Sequence, residues 1–354
     1  MEHDHLSDGT RRPEGRRRPR ARRIAAALAG VSLALGAGAA CSGNQASNAA
    51  GTRHLAFAFF AFAQQNSYEA PQIASAQKAA SAENATVTVF DAADNAQTQY
   101  GQIEDAIASG KYDGFLIDAV DGAGLVPLVE RALAAHIKVV AVNSVLGPDL
   151  GKLAPQIPGV SASVVYPAYD RGRHEGRLVL QACATVPGEC EVGYVYDFKA
   201  SGFDQGVRAG LDSVIAAHPQ IKVVAEGQDS FTATGGLAAA QTMLQAHPGL
   251  DVLVGSDQGM AGATKAVSAA GAAFRVKIIG LGGSVNGLAL VRAGTWFGEC
   301  PTLPATQGTV AAQALVKAVR QGVDVGGVNP AAALPDGGLA TKANAAVFTG
   351  EWSG

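Results

Sequence analysis

The chain has 354 residues, of which 48% are hydrophobic and 16% charged, so most of it is expected to form globular structure with a sizeable core. Eight of its 27 basic and four of its 30 acidic residues lie in the first 40 positions, which leaves the remainder with a net charge of −7. An acidic body of this kind argues against binding to nucleic acid.

The N-terminus has the layout of an export signal. Eight arginines precede the apolar run Ile24–Ala40, and small residues lead directly to Cys41. A basic region, a short apolar region and small residues before a cut site predict a secretory signal peptide over residues 1–41. The alternative is an uncleaved signal anchor, since 17 apolar residues are at the short limit for a membrane span.

The residues before Cys41 resemble the lipobox of bacterial lipoproteins, which implies lipidation of Cys41 and a position on the outer face of the cytoplasmic membrane. Gly38 departs from that motif, which usually has an aliphatic residue there. Arg22 and Arg23 leave twin-arginine export open beside the general secretory route. Residues 42–52 are expected to form a flexible tether.

From Arg53 onwards, strand-like apolar runs alternate with segments of helical periodicity. The predicted strands are His54–Phe62, Thr86–Phe90, Gly114–Ile117, Lys138–Val142, Ser161–Val165, Val192–Tyr196, Ile221–Ala225, Val252–Val254, Val276–Leu281 and Trp296–Glu299. Helices are predicted between them, among them Glu69–Glu83, Gly124–Ala135, Phe203–Ala217 and Thr306–Arg320. This alternation predicts an α/β fold with parallel sheets joined by right-handed crossovers, and its two similar halves predict two lobes with a cleft between them.

Three segments carry a family resemblance. They are the loop Q-Q-N-S-Y at 64–68, the segment D-G-F-L-I-D-A-V-D at 113–121, and the run A-H-P-G-L-D-V-L-V-G-S-D-Q-G-M-A-G-A at Ala246–Ala263. Together with the export signal, they resemble the type I periplasmic binding proteins of sugar transporters, the ribose-binding-protein-like family. The Ala246–Ala263 run is the most specific of the three.

The resemblance implies two flavodoxin-like, doubly wound parallel-sheet lobes that close over a ligand by hinge motion. Lobe 1 would comprise residues 53–164 plus 303–327, and lobe 2 residues 165–302 plus 328–354. Such a protein would be a monomeric, extracytoplasmic solute-binding protein that takes up a carbohydrate or polyol and delivers it to an ABC permease.

The same resemblance implies a ligand site at the strand ends. Its predicted residues are Asn66, Tyr68, Asp118, Asn143, Tyr166, Phe231, Ser256 and Asp257. Polar side chains would bind sugar hydroxyls, and aromatic rings would cover the apolar C–H face of the ligand.

All of these assignments except Ser256 have a purely structural alternative. Asn66 and Tyr68 would be a turn residue and a surface residue, while Asp118 and Asn143 would cap helices. Phe231 would pack in the core. Tyr166 would pack at the hinge, and Asp257 would support its loop or cap a helix. Of the neighbouring Ser256 and Asp257, Ser256 is therefore the expected direct contact with the ligand.

Three positions depart from the family pattern. Gln205, Gly282 and Thr302 stand where an arginine, an aspartate and a glutamine are usual. The lobe 2 side of the cleft is therefore expected to be less polar than that of a ribose site, which favours a smaller, deoxygenated or more aromatic ligand.

The remaining cysteines predict a disulfide between Cys183 and Cys190, which flank a turn-forming segment in an exported protein. The alternative is a pair of buried, reduced thiols. Cys300 is expected to be single and buried. No spacing of Cys and His residues indicates a metal site.

Other functions find less support in the sequence. It lacks the G-x-G-x-x-G, P-loop and G-x-S-x-G motifs, so neither an enzymatic activity nor a cofactor is expected. Regulators that share this fold carry a DNA-binding motif where this chain has an export signal. The alternative left open is a receptor of the same fold that presents a non-sugar ligand to a membrane sensor kinase.

Overall fold

The computed structural model describes residues 53–354 and shows two six-stranded sheets. The predicted signal peptide, Cys41 and the tether lie outside the described residues. The first sheet contains β1 (Leu55–Ala61), β2 (Ala85–Asp91), β3 (Gly114–Ile117), β4 (Lys138–Asn143), β5 (Ala162–Val165) and β11 (Gly326–Val328). The second contains β6 (Cys190–Tyr196), β7 (Ile221–Gln228), β8 (Val252–Ser256), β9 (Lys277–Gly282), β10 (Gly298–Pro301) and β12 (Ala340–Thr341).

Both sheets have the same spatial order. The first runs β2-β1-β3-β4-β5-β11 and the second β7-β6-β8-β9-β10-β12, and only the β10–β12 pair is antiparallel. The order 2-1-3-4-5 is that of a flavodoxin-like doubly wound sheet. The predicted architecture of two such sheets is confirmed. We call the halves built on the first and second sheets lobe 1 and lobe 2.

Nine helices in the described part of the chain cover these sheets. Lobe 1 has α1 (Glu69–Ala82), α2 (Ala96–Ser109), α3 (Val126–Ala134) and α9 (Pro304–Gln321). Lobe 2 has α4 (Ala168–Cys183), α5 (Gly202–Ile215), α6 (Ala233–Ala246), α7 (Asp257–Ala269) and α8 (Val285–Ala293). None of the helices within residues 53–354 is long and apolar enough to cross a membrane.

The sequence of strand β1 is apolar throughout because both of its faces are buried. Ala58 and Phe60 face the core under α2 and α3, whereas Phe57 and Phe59 face the core under α1 and α9. All four are fully buried, because a central strand of a parallel sheet is covered on both faces.

The chain passes between the sheets three times, after β5, after β10 and after β11. The exact lobe bounds remain a prediction. One predicted strand is displaced: Trp296–Glu299 was expected, and β10 occupies Gly298–Pro301. Gly294 ends α8 in a left-handed conformation, and the Trp296 backbone N–H still bonds to that helix at Leu290.

Candidate functional site

A cavity lies between the lobes, at the carboxyl ends of the parallel strands. This is where ligands bind in open α/β sheets. Lobe 1 lines it with Phe62, Asn66, Tyr68, Glu69, Asp118, Asn143 and Ser144. Lobe 2 and the C-terminal segment line it with Arg171, Asp197, Ser201, Phe203, Asp204, Phe231, Ser256, Gln258, Leu281, Gly282 and Trp352.

The loop after β1 is held in place by the first residue of α1. The Glu69 carboxylate accepts hydrogen bonds from the backbone N–H groups of Phe62 and Ala63. Burial and the nearby Asp118 raise the pKa of Glu69 well above its usual range. Asn66 Oδ1 accepts from the Tyr68 backbone N–H at 2.9 Å, which fixes both side chains at the rim of the cavity.

Asp118 and Asn143 form a pair at the ends of β3 and β4. Asn143 Nδ2 donates to Asp118 Oδ2 at 3.0 Å. The Asn143 backbone is left-handed, with φ of 58°, a conformation that Asn tolerates better than most residues. Asp118 is fully buried, its Oδ1 has no hydrogen-bond partner, and burial raises its pKa to about 6. This carboxyl group can therefore accept a hydrogen bond from a ligand.

Arg171 brings a cation from helix α4 into the cavity. Its guanidinium lies between two rings, 5.3 Å from the centre of Tyr166 and 5.0 Å from the centre of Phe203. Nε donates to the Tyr166 carbonyl at 2.9 Å, and one terminal NH₂ group donates to Asn143 Oδ1 at 2.7 Å. A charge held in this way is oriented before any ligand arrives.

Buried acidic groups form the lobe 2 wall. Asp197 follows β6 directly, its Oδ1 has no partner, and burial together with Asp229 and Asp204 raises its pKa well above the usual range. Burial also raises the pKa of Asp229 to about 7. Ser256 Oγ donates to Asp229 and accepts from the Gly259 N–H, so this hydroxyl caps α7 and lines the cavity at once. Whether the lobe 2 side is less polar than that of a ribose site stays a prediction.

Aromatic rings close the cleft from both sides. The Phe62 ring in lobe 1 meets the Phe231 ring in lobe 2 edge-on, with centroids 5.9 Å apart. Phe231 also packs against Phe198 and has a left-handed backbone with φ of 55°, which is rare for a bulky residue and typical of functional sites.

The lobes contact each other directly across the cleft. Besides the Arg171–Asn143 bond and the Phe62–Phe231 contact, Gln258 Nε2 at the start of α7 donates to Asn66 Oδ1 at 3.2 Å. Tyr68 and Trp352 meet edge-on, with ring centroids 5.4 Å apart. This structure therefore represents a closed arrangement of the two lobes.

The cavity brings together six of the eight residues predicted from the sequence. They are Asn66, Tyr68, Asp118, Asn143, Phe231 and Ser256.

Tyr166 and Asp257 do not line the cavity. The Tyr166 hydroxyl is hydrogen-bonded to His174 Nδ1, and its ring supports Arg171 from below. Asp257 is 1% exposed and accepts from the Ser284 backbone N–H at 2.8 Å, so it fixes the start of α8.

Sequence reasoning did not select several cavity residues. Asp197 directly follows a predicted strand, so the rule that selected Asp118 also applies to it. Arg171 lies inside a helix and Trp352 lies in the irregular tail, where the strand-end rule gives no signal. Only the scarcity of tryptophan, with two in the chain, marks Trp352.

The cysteines lie away from the cavity. Cys183 and Cys190 are joined by a disulfide that links the end of α4 to the start of β6, and Cys300 is free and buried. Within residues 53–354, no cluster of three or more His, Cys, Asp and Glu side chains is arranged to hold a metal ion.

Comparison with known proteins places this geometry in context. The sequence model of the periplasmic binding protein domain family matches residues 57–322 of this chain. A D-ribose/D-allose-binding protein of Pseudomonas aeruginosa is 32% identical over 50% of this chain and 54% of its own length. A xylitol-binding protein of Mycolicibacterium smegmatis is 29% identical over 65% of this chain and 63% of its own. The chain thus spans somewhat over half the length of these relatives.

Solved structures share the fold at low sequence identity. A Caulobacter myo-inositol binding protein, bound to myo-inositol, superposes with a TM-score of 0.71 at 20% identity, covering 84% of this chain and 97% of that protein. An ABC transporter solute binding protein from Mycobacterium smegmatis, with bound glycerol, gives a TM-score of 0.70 at 22% identity, covering 85% and 100% of the two chains.

Proposed function

We propose, from the fact that this chain belongs to the periplasmic binding protein domain family, that it is an extracytoplasmic solute-binding protein that encloses a sugar or polyol between its lobes. The family consists of solute-binding proteins rather than enzymes. The cavity residues therefore bind the ligand and do not act on it chemically.

One observation carries the ligand class: two buried carboxyl groups from opposite lobes each have an oxygen without a hydrogen-bond partner. Asp118 Oδ1 and Asp197 Oδ1 both lack a partner, and both residues line the cavity. A buried carboxyl oxygen without a partner is costly, and a ligand that supplies hydroxyl groups, which both donate and accept hydrogen bonds, relieves that cost on both walls. The relatives that bind D-ribose, D-allose and xylitol support the same class.

The aromatic residues support this class as well. A sugar or polyol has an apolar C–H surface and a rim of hydroxyl groups. Rings at Phe62, Tyr68 and Phe231 would cover the first while Asn66 and Asn143 bind the second. Ser256, the last of the predicted residues that line the cavity, would also contact a hydroxyl group of the ligand.

Binding is proposed to act by population shift between an open and a closed state. Ligand contacts from both lobes are formed together only when the cleft is closed, so the ligand favours that state. The three passages of the chain between the sheets are the hinge.

The cellular role follows from the N-terminal sequence and the family. We propose that the protein is exported and lipidated at Cys41, and that it delivers its ligand to an ABC permease as a monomer. The periplasmic binding protein family and the export signal support the extracytoplasmic location.

A thermal-shift screen tests the ligand class. The chain from residue 42 onwards contains the whole compact unit 51–354 and is screened against sugars, polyols, nucleosides and amino acids. A ligand that binds only the folded state raises the melting temperature. We expect a sugar or polyol to do so. A shift with an amino acid and with none of the sugars or polyols contradicts the proposal and favours the sensory alternative.

A further inference from the structure

The C-terminal segment after β12 returns to the cleft and is fixed to both lobes. The Glu351 carboxylate accepts from the Thr306 backbone N–H at 2.9 Å in the first turn of α9, which belongs to lobe 1. Trp352 Nε1 donates to the Gly282 carbonyl at 2.9 Å, and its own carbonyl accepts from the Val285 N–H at 2.8 Å, both in lobe 2.

These bonds place the Trp352 ring in the wall of the cavity. The residue is 4% exposed and lies beside Leu281 and Gly282. Its ring meets the ring of Tyr68, from the opposite lobe, at an interplanar angle of 79°. Two rings at nearly a right angle form an apolar corner.

Gly282 shows that the indole ring occupies the position of a side chain. A Cβ atom built on Gly282 would lie 2.4 Å from Trp352 Cζ2, closer than non-bonded carbon atoms approach. Other strand ends at the cavity carry the polar residues Asp118, Asn143 and Asp197. The end of β9 instead presents a tryptophan that comes from the tail.

Trp352 lies 30 residues beyond the region 57–322 that the family model matches. The family match therefore does not account for its place in the cavity.

We infer that Trp352 contacts the ligand and sets its specificity, because it forms with Tyr68 an apolar corner that takes a C–H face or a deoxygenated carbon of the sugar or polyol. This inference rests on the proposed function and names the part of the ligand that the site selects. A hydroxyl group directed into this corner would lose its hydrogen bonds to water without replacement.

The two tryptophans of the chain provide a matched pair for the test. Trp296 is 1% exposed and donates Nε1–H to Thr264 at 2.8 Å, but it does not line the cleft cavity. Trp296→Phe leaves Trp352 as the only indole emitter, and Trp352→Phe leaves Trp296. Both variants and Trp352→Ala are made in the chain from residue 42 onwards.

The probes are D-ribose, xylitol, myo-inositol and D-galactose, together with the deoxy partners 5-deoxy-D-ribose and D-fucose. We expect a probe that binds the unaltered protein to change the emission of Trp296→Phe and to leave that of Trp352→Phe unchanged. Affinity should stay within threefold in Trp296→Phe and fall at least tenfold in Trp352→Ala. The affinity for each deoxy sugar, divided by the affinity for its parent sugar, should be at least threefold lower in Trp352→Ala than in the unaltered protein.

The outcomes separate the two proposals. Binding by the unaltered protein, with no change in Trp352 emission or with full affinity in Trp352→Ala, overturns the inference and leaves the proposed function intact. An unchanged affinity ratio overturns the specificity. If Trp352→Ala does not fold, the emission of the two phenylalanine variants decides. If no sugar or polyol binds the unaltered protein, the proposed function fails and the inference fails with it.

Discussion

Arg171 on helix α4 of lobe 2 donates a 2.7 Å hydrogen bond to Asn143 Oδ1 at the end of β4 in lobe 1, and so joins the two walls of the cavity. Because a hydrogen bond with a charged donor contributes about 1.5 to 3 kcal/mol, this contact biases the lobes toward the closed state. Both partners also border the ligand cavity.

We expect Arg171→Met to open the unliganded protein and to weaken sugar binding at least tenfold. Small-angle scattering measures the first effect as a larger radius of gyration, and calorimetry measures the second. Asn143→Gly should act in the same direction, and glycine tolerates the left-handed backbone at this position. The double variant should add little to either single change. Full additivity of the two changes would show that they act independently.

Tyr68 should contribute to binding through its ring more than through its hydroxyl group. The hydroxyl lies 3.4 Å from both Asn143 Oδ1 and Gln307 Oε1, which is long for a hydrogen bond. We expect Tyr68→Ala to abolish the ligand-induced thermal shift without unfolding the free protein, and Tyr68→Phe to retain most of it. An equal loss in both variants would assign the role to the hydroxyl.

Affinity for a sugar should depend on pH through Asp118. Its pKa is raised to about 6 by burial, and a ligand hydroxyl donates best to the ionised carboxylate. Acidification from pH 8 to pH 5 should therefore weaken binding roughly tenfold through this group. Asp118→Asn should bind more weakly at pH 8, and it should lack the part of the pH dependence near pH 6. The same pH profile in both proteins would argue against this role.

Stability should fall as the pH rises from about 4.5 to about 8 because of Glu175, which is buried in lobe 2 with no partner for either carboxylate oxygen. Burial, and then the charge of Asp204, raises its pKa from 4.5 to about 8. The folded chain thus holds this proton more tightly than the unfolded chain. The resulting stabilisation is complete below pH 4.5 and is lost as the pH rises through about 8.

The variant Glu175→Gln cannot ionise, so we expect it to melt roughly 5 °C or more above the unaltered protein at pH 9 and close to it at pH 5. Calorimetry over this pH range measures the difference. Glu189→Gln, at an exposed position, is the matched control and should change neither value. A lower melting temperature for Glu175→Gln at pH 9 would contradict the assignment.

The Cys183–Cys190 disulfide should stabilise the fold without affecting binding. It closes a short loop with a sequence separation of 7, for which chain entropy gives about 2 to 3 kcal/mol. It lies at the start of β6, opposite the carboxyl end that faces the cleft. Replacing both cysteines with serine should lower the unfolding free energy in denaturant titrations by that amount. Ligand affinity should stay within twofold, and a large loss would mean that the lobes are coupled to this end of the sheet.

The strands were the predictable part of this molecule. Strand β8 was predicted at Val252–Val254 and extends over Val252–Ser256, because a short run of apolar residues before a polar loop is the normal pattern of a buried parallel strand. The same pattern placed Asp118 and Asn143 at the ends of their strands, and therefore at the cavity.

The remaining site residues depend on packing that local patterns do not report. Arg171 enters the cavity only because Tyr166 and Phe203 hold its guanidinium between them, and one of these rings comes from another helix. Trp352 depends on the empty space over Gly282, which is distant in sequence. Asp257 carries the right chemistry, but its carboxylate is engaged by the Ser284 backbone.

The chain passes from one sheet to the other after β11, so each sheet takes its outermost strand on one side from the last 33 residues. A truncation after Gln321 would therefore strip β11 from the first sheet and β12 from the second in a single step. It would also uncover β5 and β10 as new edges that are open to pairing with other chains. Shortened forms of this protein are expected to aggregate, and neither lobe can be isolated as a continuous fragment.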